Sequence, residues 1–280
     1  MNNKYKPVKA VGLLSGGLDS SLAVKLMIDQ GVDIHVLNFV TPFCTCTRKG
    51  CRHEASRVAE LFGVPVKIIS GGKEFIEMIK NPKHGYGSNM NPCIDCRIFM
   101  FRKAKKYMEE IEAHFIVTGE VLDQRPMSQH KKAMMTIDQE SGMENLVVRP
   151  LSAKLLEPTI PEEKNWIDRK KLLSIQGRRR IPQIKLADKL GIKDYPCPAG
   201  GCRLTDPQFV KRLKESFEHR EDTIKDIQLL KYGRHFRLKS GAKVVIGRHE
   251  EENKILLRFF GKNDILIEVM GVGSPIVLLK

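Results

Sequence analysis

Apolar and polar positions in the first part of the chain follow two alternating spacings, one typical of strands and one typical of helices. The predicted strands are Val8–Leu14, Ile34–Val40, Val64–Ser70 and His114–Thr118, and the predicted helices are Ser20–Gln30, Glu54–Phe62 and Cys93–Glu112. Alternation of strand and helix predicts an α/β fold, in which helices cover both faces of a parallel sheet. Ligands of such folds bind at the carboxyl ends of the strands.

The pattern changes twice after this region. Beyond Pro161 it becomes helical and basic through Trp166–Leu190, and it then reaches a turn-rich stretch with two cysteines. From about Thr223, short apolar runs between Gly, Asn and Asp predict a small β-rich domain. Its predicted strands are Phe236–Leu238, Ala242–Ile246, Ile255–Phe260, Leu266–Met270 and Ile276–Leu279. We expect a catalytic domain over 1–165, an accessory region over 166–222 and the β-rich domain over 223–280.

The composition of the chain indicates the kind of partner that it binds. The chain has 280 residues, of which 41% are hydrophobic and 29% charged, as in soluble globular proteins. No apolar run approaches the ~20 residues of a membrane span, and the N-terminus lacks a signal-peptide pattern, so we expect a cytoplasmic protein without a membrane partner. Its 48 Lys and Arg exceed its 33 Asp and Glu, giving a formal charge of +15. Such an excess favours nucleic acid as a partner.

A glycine-rich loop follows the first predicted strand and begins the first predicted helix. It reads Ser15-Gly16-Gly17-Leu18-Asp19-Ser20-Ser21. The glycines let backbone N–H groups approach a phosphate, the serine hydroxyls add donors, and the helix N-terminus adds positive potential. Asp19 is suited to bind Mg²⁺ across the phosphates. The sequence lacks the Gly-Lys-Ser/Thr of a Walker loop at this point.

The loop resembles the PP-loop signature of enzymes that cleave ATP between its α- and β-phosphates and transfer AMP to a carbonyl oxygen. Two later stretches, Thr118–Gln129 and Val148–Leu151, resemble motifs of tRNA 4-thiouridine synthetases, and tRNA 2-thiouridylases share the first part. The resemblance implies an adenine nucleotide alpha hydrolase-like fold and Gln129 near the site. The ATP-binding residues that we expect are Leu14, Ser15, Gly16, Gly17, Asp19, Ser20, Ser21, Asn38, Gly119, Glu120 and Gln124.

Two cysteines begin the third predicted helix. Cys93 and Cys96 lie one turn apart there, where the helix N-terminus favours thiolates. This Cys-x-x-Cys resembles the pair that, with one distant cysteine, binds a [4Fe-4S] cluster in archaeal-type thiolation enzymes. With Cys202 as third ligand, or Cys197 as the alternative, one iron would remain free to bind the sulfide to be transferred. We therefore expect Asp19, Cys96 and Cys202 to be the catalytic residues.

Other roles of the cysteines remain open. Cys93, Cys96, Cys197 and Cys202 also match the ligand number of a structural zinc site. Alternatively, Cys96 or Cys202 carries a persulfide that its partner resolves through a disulfide. A third group, Cys44, Cys46 and Cys51, follows the second predicted strand and forms either a second metal or sulfur-relay site or a set of inert thiols.

The C-terminal region resembles the RNA-binding domain of the NFACT family in the stretches Gly241–Asn253 and Gly271–Pro275. A small folding cap with solvated charges is the alternative. We expect RNA phosphate contacts from basic side chains in this region and in the arginine tract before it. These residues are Arg178, Arg179, Arg180, Arg234, Arg237, Lys243 and Arg248.

Together these features predict ATP-dependent tRNA thiolation, in which ATP and Mg²⁺ activate a uridine carbonyl and sulfur replaces its oxygen. The sulfur donor is expected to be sulfide or a cysteine desulfurase-type protein. A PP-loop ligase or sulfurtransferase that acts on a small molecule and has a structural zinc site is the alternative within enzymes. Outside enzymes, the alternative is an RNA-binding protein whose nucleotide site only senses ATP.

Overall fold

The computed structural model describes residues 7–45, 50–193, 195 and 201–280, and it describes the backbone but not the side chains of 50–52. The chain divides into two compact units, Met1–Cys202 and Arg203–Lys280. No helix in the described ranges is long and apolar enough to cross a membrane.

The first unit alternates strands with helices. Its strands are β1 (Lys9–Leu13), β2 (Asp33–Val40), β3 (Val66–Ser70), β4 (Phe115–Thr118) and β5 (Val147–Val148). Its helices are α1 (Leu18–Ile28), α2 (Gly50–Phe62), α3 (Gly72–Lys80), α4 (Cys93–Glu110), α5 (Lys131–Ser141), α6 (Ile160–Glu163) and α7 (Ile181–Lys189).

The five strands form one parallel sheet in the order β3-β2-β1-β4-β5. Adjacent strand residues point to opposite faces: Ala10 packs into a core with Val24 of α1, whereas Val11 packs into a core with Phe101 of α4. Both faces are therefore covered by helices, and the predicted α/β fold class is confirmed.

The strand order also determines where a ligand can bind. Strand β1 lies between β2 and β4, so the connections that leave β1 and β4 diverge to opposite faces. This divergence opens a crevice at the carboxyl ends of the two strands. Residues 15–21, hereafter the PP-loop, follow β1 directly, and Gly119 and Glu120 follow β4.

Two parts of the first unit differ from the sequence prediction. Helices α3 and α5 were not predicted from the sequence. The predicted basic helix over Trp166–Leu190 is helical mainly in α7. Before α7 the backbone is broken by Gly177, which has a φ of +84° that ends helical geometry.

The second unit consists of α8 (Pro207–Glu218), α9 (Ile224–Leu229), β6 (Arg234–Arg237), β7 (Lys243–Ile246), α10 (Glu250–Leu257), β8 (Ile265–Ile267) and β9 (Val277–Leu279). Its strands form an antiparallel sheet in the order β6-β7-β9-β8, which confirms a small β-rich fold at the C-terminus.

One strand predicted in this unit was wrong, because the predicted strand Ile255–Phe260 begins inside α10. Three glutamates in the first turn of α10 interact favourably with the positive end of the helix dipole. Glu252 also accepts hydrogen bonds from the backbone N–H groups of Gly233 and Arg248, both at 3.1 Å. These local electrostatic contacts favour a helix where the apolar pattern alone is ambiguous.

Candidate active site

The PP-loop forms a tight turn between β1 and α1. Gly16 has a φ of +79°, and a Cβ atom there would lie 2.7 Å from the backbone of Glu54, so only glycine fits. The hydroxyl groups of Ser20 and Ser21 donate to the Gly17 carbonyl at 2.9 and 3.0 Å. Gly17, the N-cap of α1, supplies no side-chain cap. The N-terminus of α1 is thus available to an anion.

Strand β4 ends against this loop. A Cβ atom on Gly119 would lie 2.5 Å from the backbone carbon of Asp19 and from the backbone nitrogen of Ser20. On the other side of the sheet edge, Asn38 donates to the Leu14 carbonyl at 2.8 Å and is 1% exposed. Its buried Oδ1 atom has no hydrogen-bond partner among the described residues. Such an oxygen can accept a hydrogen bond from a ligand.

Only one of the two carboxylate oxygens of Asp19 forms a hydrogen bond with a described residue. Its Oδ2 atom accepts a hydrogen bond of 2.7 Å from Gln124, whose own Oε1 accepts from the buried Gln183 at 3.0 Å. The other oxygen, Oδ1, is buried and lacks a hydrogen-bond partner within the described ranges. A carboxylate oxygen oriented in this way is suited to bind a cation.

Glu120 lies one residue beyond Gly119 and forms ion pairs. The Arg97 side chain contacts its Oε1 at 2.8 Å, and Arg149 contacts its Oε2 at 3.0 Å. Arg149 is 5% exposed and also forms a bidentate pair with Asp138 at 2.7 and 2.8 Å. Burial alone would raise the pKa of Glu120, but the two guanidinium groups outweigh it and lower that pKa. The predicted contact of Glu120 with ATP stays a prediction.

Four cysteines meet at the same edge of the sheet. Cys93 and Cys96 occupy the first turn of α4, and Cys44 is paired with Cys202 across an isolated antiparallel bridge. Thr45 secures this bridge, because its backbone N–H and hydroxyl donate to the Gly201 carbonyl at 3.3 and 2.8 Å. Sequence reasoning left the role of Cys44 open, since nothing in its spacing indicates a partner more than a hundred residues away.

The electrostatics of these thiols differ from the prediction. Burial raises the pKa of Cys96 to about 12, and the nearby Cys202, Cys93 and Cys44 add to this rise, against an opposing effect of Arg97. Burial also raises the pKa of Cys93, despite Arg125, Arg97 and a hydrogen bond of 3.3 Å from Asn91. The expected thiolate stabilisation by the helix N-terminus is therefore outweighed by loss of hydration.

Three cysteines cannot be placed in this group. Cys46 and Cys197 lie outside the described residues, and the Cys51 side chain is not described either. Within the described part of the chain, no three His, Cys, Asp or Glu side chains are arranged to bind one metal ion.

The arginine tract before α7 divides into two parts. Arg178 and Arg179 are exposed, as expected of side chains that contact RNA phosphates. The Arg180 side chain is 21% exposed, and its Nη2 atom lies 3.6 Å from Asp19 Oδ2. Only two of the three arginines therefore present a freely exposed side chain.

In the second unit, the four basic residues expected at RNA also differ in exposure. Arg234 is exposed, and half of the Arg248 side chain is exposed beside its ion pair with Glu252. Lys243 is 3% exposed, and its Nζ atom lies 2.6 Å from Glu221. Arg237 contacts Glu221 at 2.6 Å and also Glu215. Lys243 and Arg237 are thus engaged in holding β6 and β7 to α8 and the turn that follows it.

We expect this cluster to make the second unit sensitive to acid. Burial would raise the pKa of Glu221, but hydrogen bonds from Arg237 and Lys243 lower it to about 2, from an ordinary value of 4.5. A lowered pKa contributes stability above the unfolded value that is lost as pH falls through the folded one. The protection factors of the β6 and β7 amides, which are corrected for the pH dependence of intrinsic hydrogen exchange, should therefore fall as pH decreases from about 4.5 to 2. Glu221→Gln should flatten that dependence, and an unchanged slope in the variant would contradict this assignment.

Two parts of the chain match models of known protein families. Residues 7–156 match the model described as thiamine biosynthesis protein (ThiI), and residues 233–280 match the NFACT protein RNA binding domain. Both agree with the resemblances predicted from sequence motifs.

Individual relatives and solved structures match parts of the chain. The tRNA-specific 2-thiouridylase MnmA of Clostridium acetobutylicum is 34% identical over 40% of this chain and 35% of its own length. The "Probable tRNA sulfurtransferase" of Ureaplasma parvum is 32% identical over 52% of this chain and 37% of its own length. A solved 4-thiouridine synthetase–RNA complex with bound ATP aligns with 80% of this chain and 52% of that chain, at 22% identity and a TM-score of 0.47.

The curated relatives are longer proteins, of which the matched segments span between 31% and 44%. The first family model, by contrast, covers more than half of the 280 residues. The chain therefore belongs to the thiamine biosynthesis protein (ThiI) family.

Proposed function

We propose that the protein is a cytoplasmic ATP-dependent tRNA sulfurtransferase, which activates a uridine carbonyl with ATP and replaces its oxygen with sulfur. The observation that carries the proposal is the grouping of four thiols in the unit whose sheet also carries the PP-loop. Membership of the ThiI family and the names of the relatives support it.

The two parts of this site are connected by direct contacts. Gly119 abuts Asp19 of the PP-loop, and the next residue, Glu120, is bound by Arg97. Arg97 directly follows Cys96 in α4. A chain of contacts therefore links the PP-loop to the first turn of α4, which carries two of the thiols.

The PP-loop suits the first chemical step. The uracil carbonyl oxygen attacks the α-phosphorus of ATP, a new oxygen–phosphorus bond forms, and the bond to pyrophosphate breaks. The amides at the N-terminus of α1 stabilise the negative charge that develops on the phosphates. Asp19 would bind Mg²⁺ through its buried Oδ1, which has no hydrogen-bond partner among the described residues, and the ion would supply positive charge that offsets the charge of the phosphates. The product carries AMP on the uracil oxygen, which is then a good leaving group.

The thiols suit the second step. Cys93, Cys96 and Cys202 would bind a [4Fe-4S] cluster, with Cys197 as the alternative third ligand, and thiolate is the ligand type that such clusters require. The high pKa of Cys96 means that ligation must displace its proton. A bound cluster would supply sulfide as the nucleophile that displaces AMP.

A persulfide offers a second route through the same residues. Its terminal sulfur, carried on Cys96 or Cys202, attacks the activated carbon, and AMP leaves. The partner thiol then attacks the cysteine sulfur, which releases thiouridine and leaves a disulfide that a thiol reductant must reduce. Sulfide is the proposed source of sulfur in the cluster route. In the persulfide route the proposed source is a cysteine desulfurase-type protein, whose own persulfide transfers its outer sulfur to the cysteine thiol and so needs no added oxidant.

Binding of tRNA is assigned to the exposed basic side chains and to the second unit. The match of that unit to an RNA-binding domain supports this part of the proposal. Arg234 and Arg248 expose their guanidinium groups there, and Arg178 and Arg179 do so in the first unit. We assign RNA phosphate contacts to these four rather than to the buried Lys243.

The metal content of anaerobically purified protein tests the sulfur source. We expect iron and labile sulfide near four per chain, with visible absorption, and loss of both in Cys93→Ala, Cys96→Ala and Cys202→Ala. Cys44→Ala is the matched control in the same group of thiols, and it should retain the cluster if three cysteines bind it.

Other metal contents would favour the competing functions. Stoichiometric zinc without iron would contradict the cluster and leave persulfide chemistry or a small-molecule substrate. Those two are separated by mass spectrometry of digested tRNA after reaction with ATP, polysulfide as a donor of sulfane sulfur, and a thiol reductant. Thiouridine that depends on the protein supports the proposal, and its absence together with weak tRNA binding supports the small-molecule alternative.

A further inference from the structure

Arg180 lies in a basic tract but does not share the environment of its neighbours. Arg178 and Arg179 are exposed to solvent, whereas nearly four-fifths of the Arg180 side chain is buried. Contacts with the phosphates of an RNA backbone require exposed positive charge, and a partly buried guanidinium group does not provide it.

Packing of two helices brings Arg180 to the PP-loop. Arg180 is the N-cap of α7, and α7 packs against α1 through a buried cluster of apolar side chains. This cluster contains Leu18 and Leu22 of α1 and Ala187 of α7. The Arg180 side chain, at the start of α7, reaches Asp19 at the start of α1, where a phosphate is expected.

The contact between Arg180 and Asp19 is an ion pair but not a hydrogen bond. The separation of 3.6 Å exceeds hydrogen-bond range. The same Asp19 oxygen already accepts a hydrogen bond from Gln124, while Oδ1 is buried without a partner. Among the described residues, no hydrogen bond of the Arg180 guanidinium is found. Its donors, which match phosphate oxygens in geometry, therefore form no hydrogen bond with the residues that the structure describes.

We propose that Arg180 is a nucleotide-binding residue: it balances the charge of Asp19 before ATP binds, and it donates hydrogen bonds to the phosphates when ATP and Mg²⁺ are bound. This inference rests on the proposed function, because it takes ATP with Mg²⁺ as the ligand. It assigns to the ATP site one arginine of a tract whose other members remain assigned to RNA.

Two binding constants, for ATP with Mg²⁺ and for tRNA, test the inference in the full chain. Arg180→Ala and Arg180→Gln should each weaken ATP binding by about tenfold to a hundredfold, the range for loss of one charge-assisted hydrogen bond. Their affinity for tRNA should change less than twofold. Arg179→Ala is the matched control, and it should weaken tRNA binding while leaving ATP binding unchanged.

The outcomes separate this inference from the proposed function. Wild-type protein that does not bind ATP with Mg²⁺ would overturn both. If both Arg180 variants bind ATP with Mg²⁺ as tightly as the wild type, the role of Arg180 alone is overturned. The same holds if the Arg180 variants lose as much tRNA affinity as Arg179→Ala does. Urea unfolding curves identify a variant that has lost its fold, and the other Arg180 variant then decides the question.

Discussion

Replacing Arg149 with methionine should lower the free energy of unfolding of the first unit by about 3–5 kcal/mol, because the buried Glu120 and the partly buried Asp138 would lose their common partner. Arg149 is 5% exposed and contacts both Glu120 and Asp138. Glu120 is 1% exposed and would retain only Arg97. Urea unfolding, followed by the fluorescence of Trp166, the one tryptophan of the chain, measures the loss.

An exposed pair provides the control for this experiment. Lys131 and Glu157 lie 3.1 Å apart with side chains 54% and 81% exposed. Lys131→Met should therefore cost no more than about 1 kcal/mol. The variant Arg149→Met with Glu120→Gln should recover part of the stability lost in Arg149→Met, since one of the uncompensated charges is removed. A cost below about 1 kcal/mol for Arg149→Met alone would show that the network does not stabilise the fold.

Substitution of Asp19 by alanine should reduce tRNA-dependent pyrophosphate release from ATP by at least about a hundredfold. The expected loss combines removal of the proposed Mg²⁺ ligand with removal of the anion that orients Gln124. The affinity for tRNA should remain within about twofold, because the exposed basic residues are unchanged. A coupled assay for pyrophosphate and a filter-binding assay for tRNA measure the two effects.

Asp29 is the matched control on the same helix. It is the C-cap of α1, and its exposed side chain pairs with Lys25 rather than with any residue of the PP-loop. Asp29→Ala should release pyrophosphate at the wild-type rate. If wild-type protein itself binds tRNA and ATP but releases no pyrophosphate, the protein is an RNA-binding protein that senses ATP, and the proposed enzymatic function is wrong.

The fold of the first unit could be predicted because its signals are local. The strands β1, β2 and β4 are apolar runs that end at glycine or at polar loops, and their spacing determines a parallel sheet. The loop between β1 and α1 combines a strand, two glycines and a helix start within a few residues. Features that depend only on residues close together in the sequence can be predicted without knowledge of tertiary contacts.

The parts of the site that were missed depend on contacts between distant residues. Arg97 and Arg149 meet at Glu120, and Cys44 meets Cys202, yet no spacing along the chain relates these residues. Arg180 was grouped with its exposed neighbours, because a run of arginines carries no information on which member faces inward. Burial likewise reverses the expected effect of the helix N-terminus on Cys96, and burial cannot be seen in a helix-start motif.

The ion-pair network around Glu120 also bears on how this chain can vary in evolution. Arg97, Glu120, Asp138 and Arg149 contribute two positive and two negative groups to one partly buried cluster. A single neutral replacement leaves an unmatched charge, whereas a paired loss of one arginine and one carboxylate restores the balance. Among close homologues these four positions should therefore change together. Loss of one member would destabilise the sheet edge beside Gly119, so selection should favour a second loss of opposite charge.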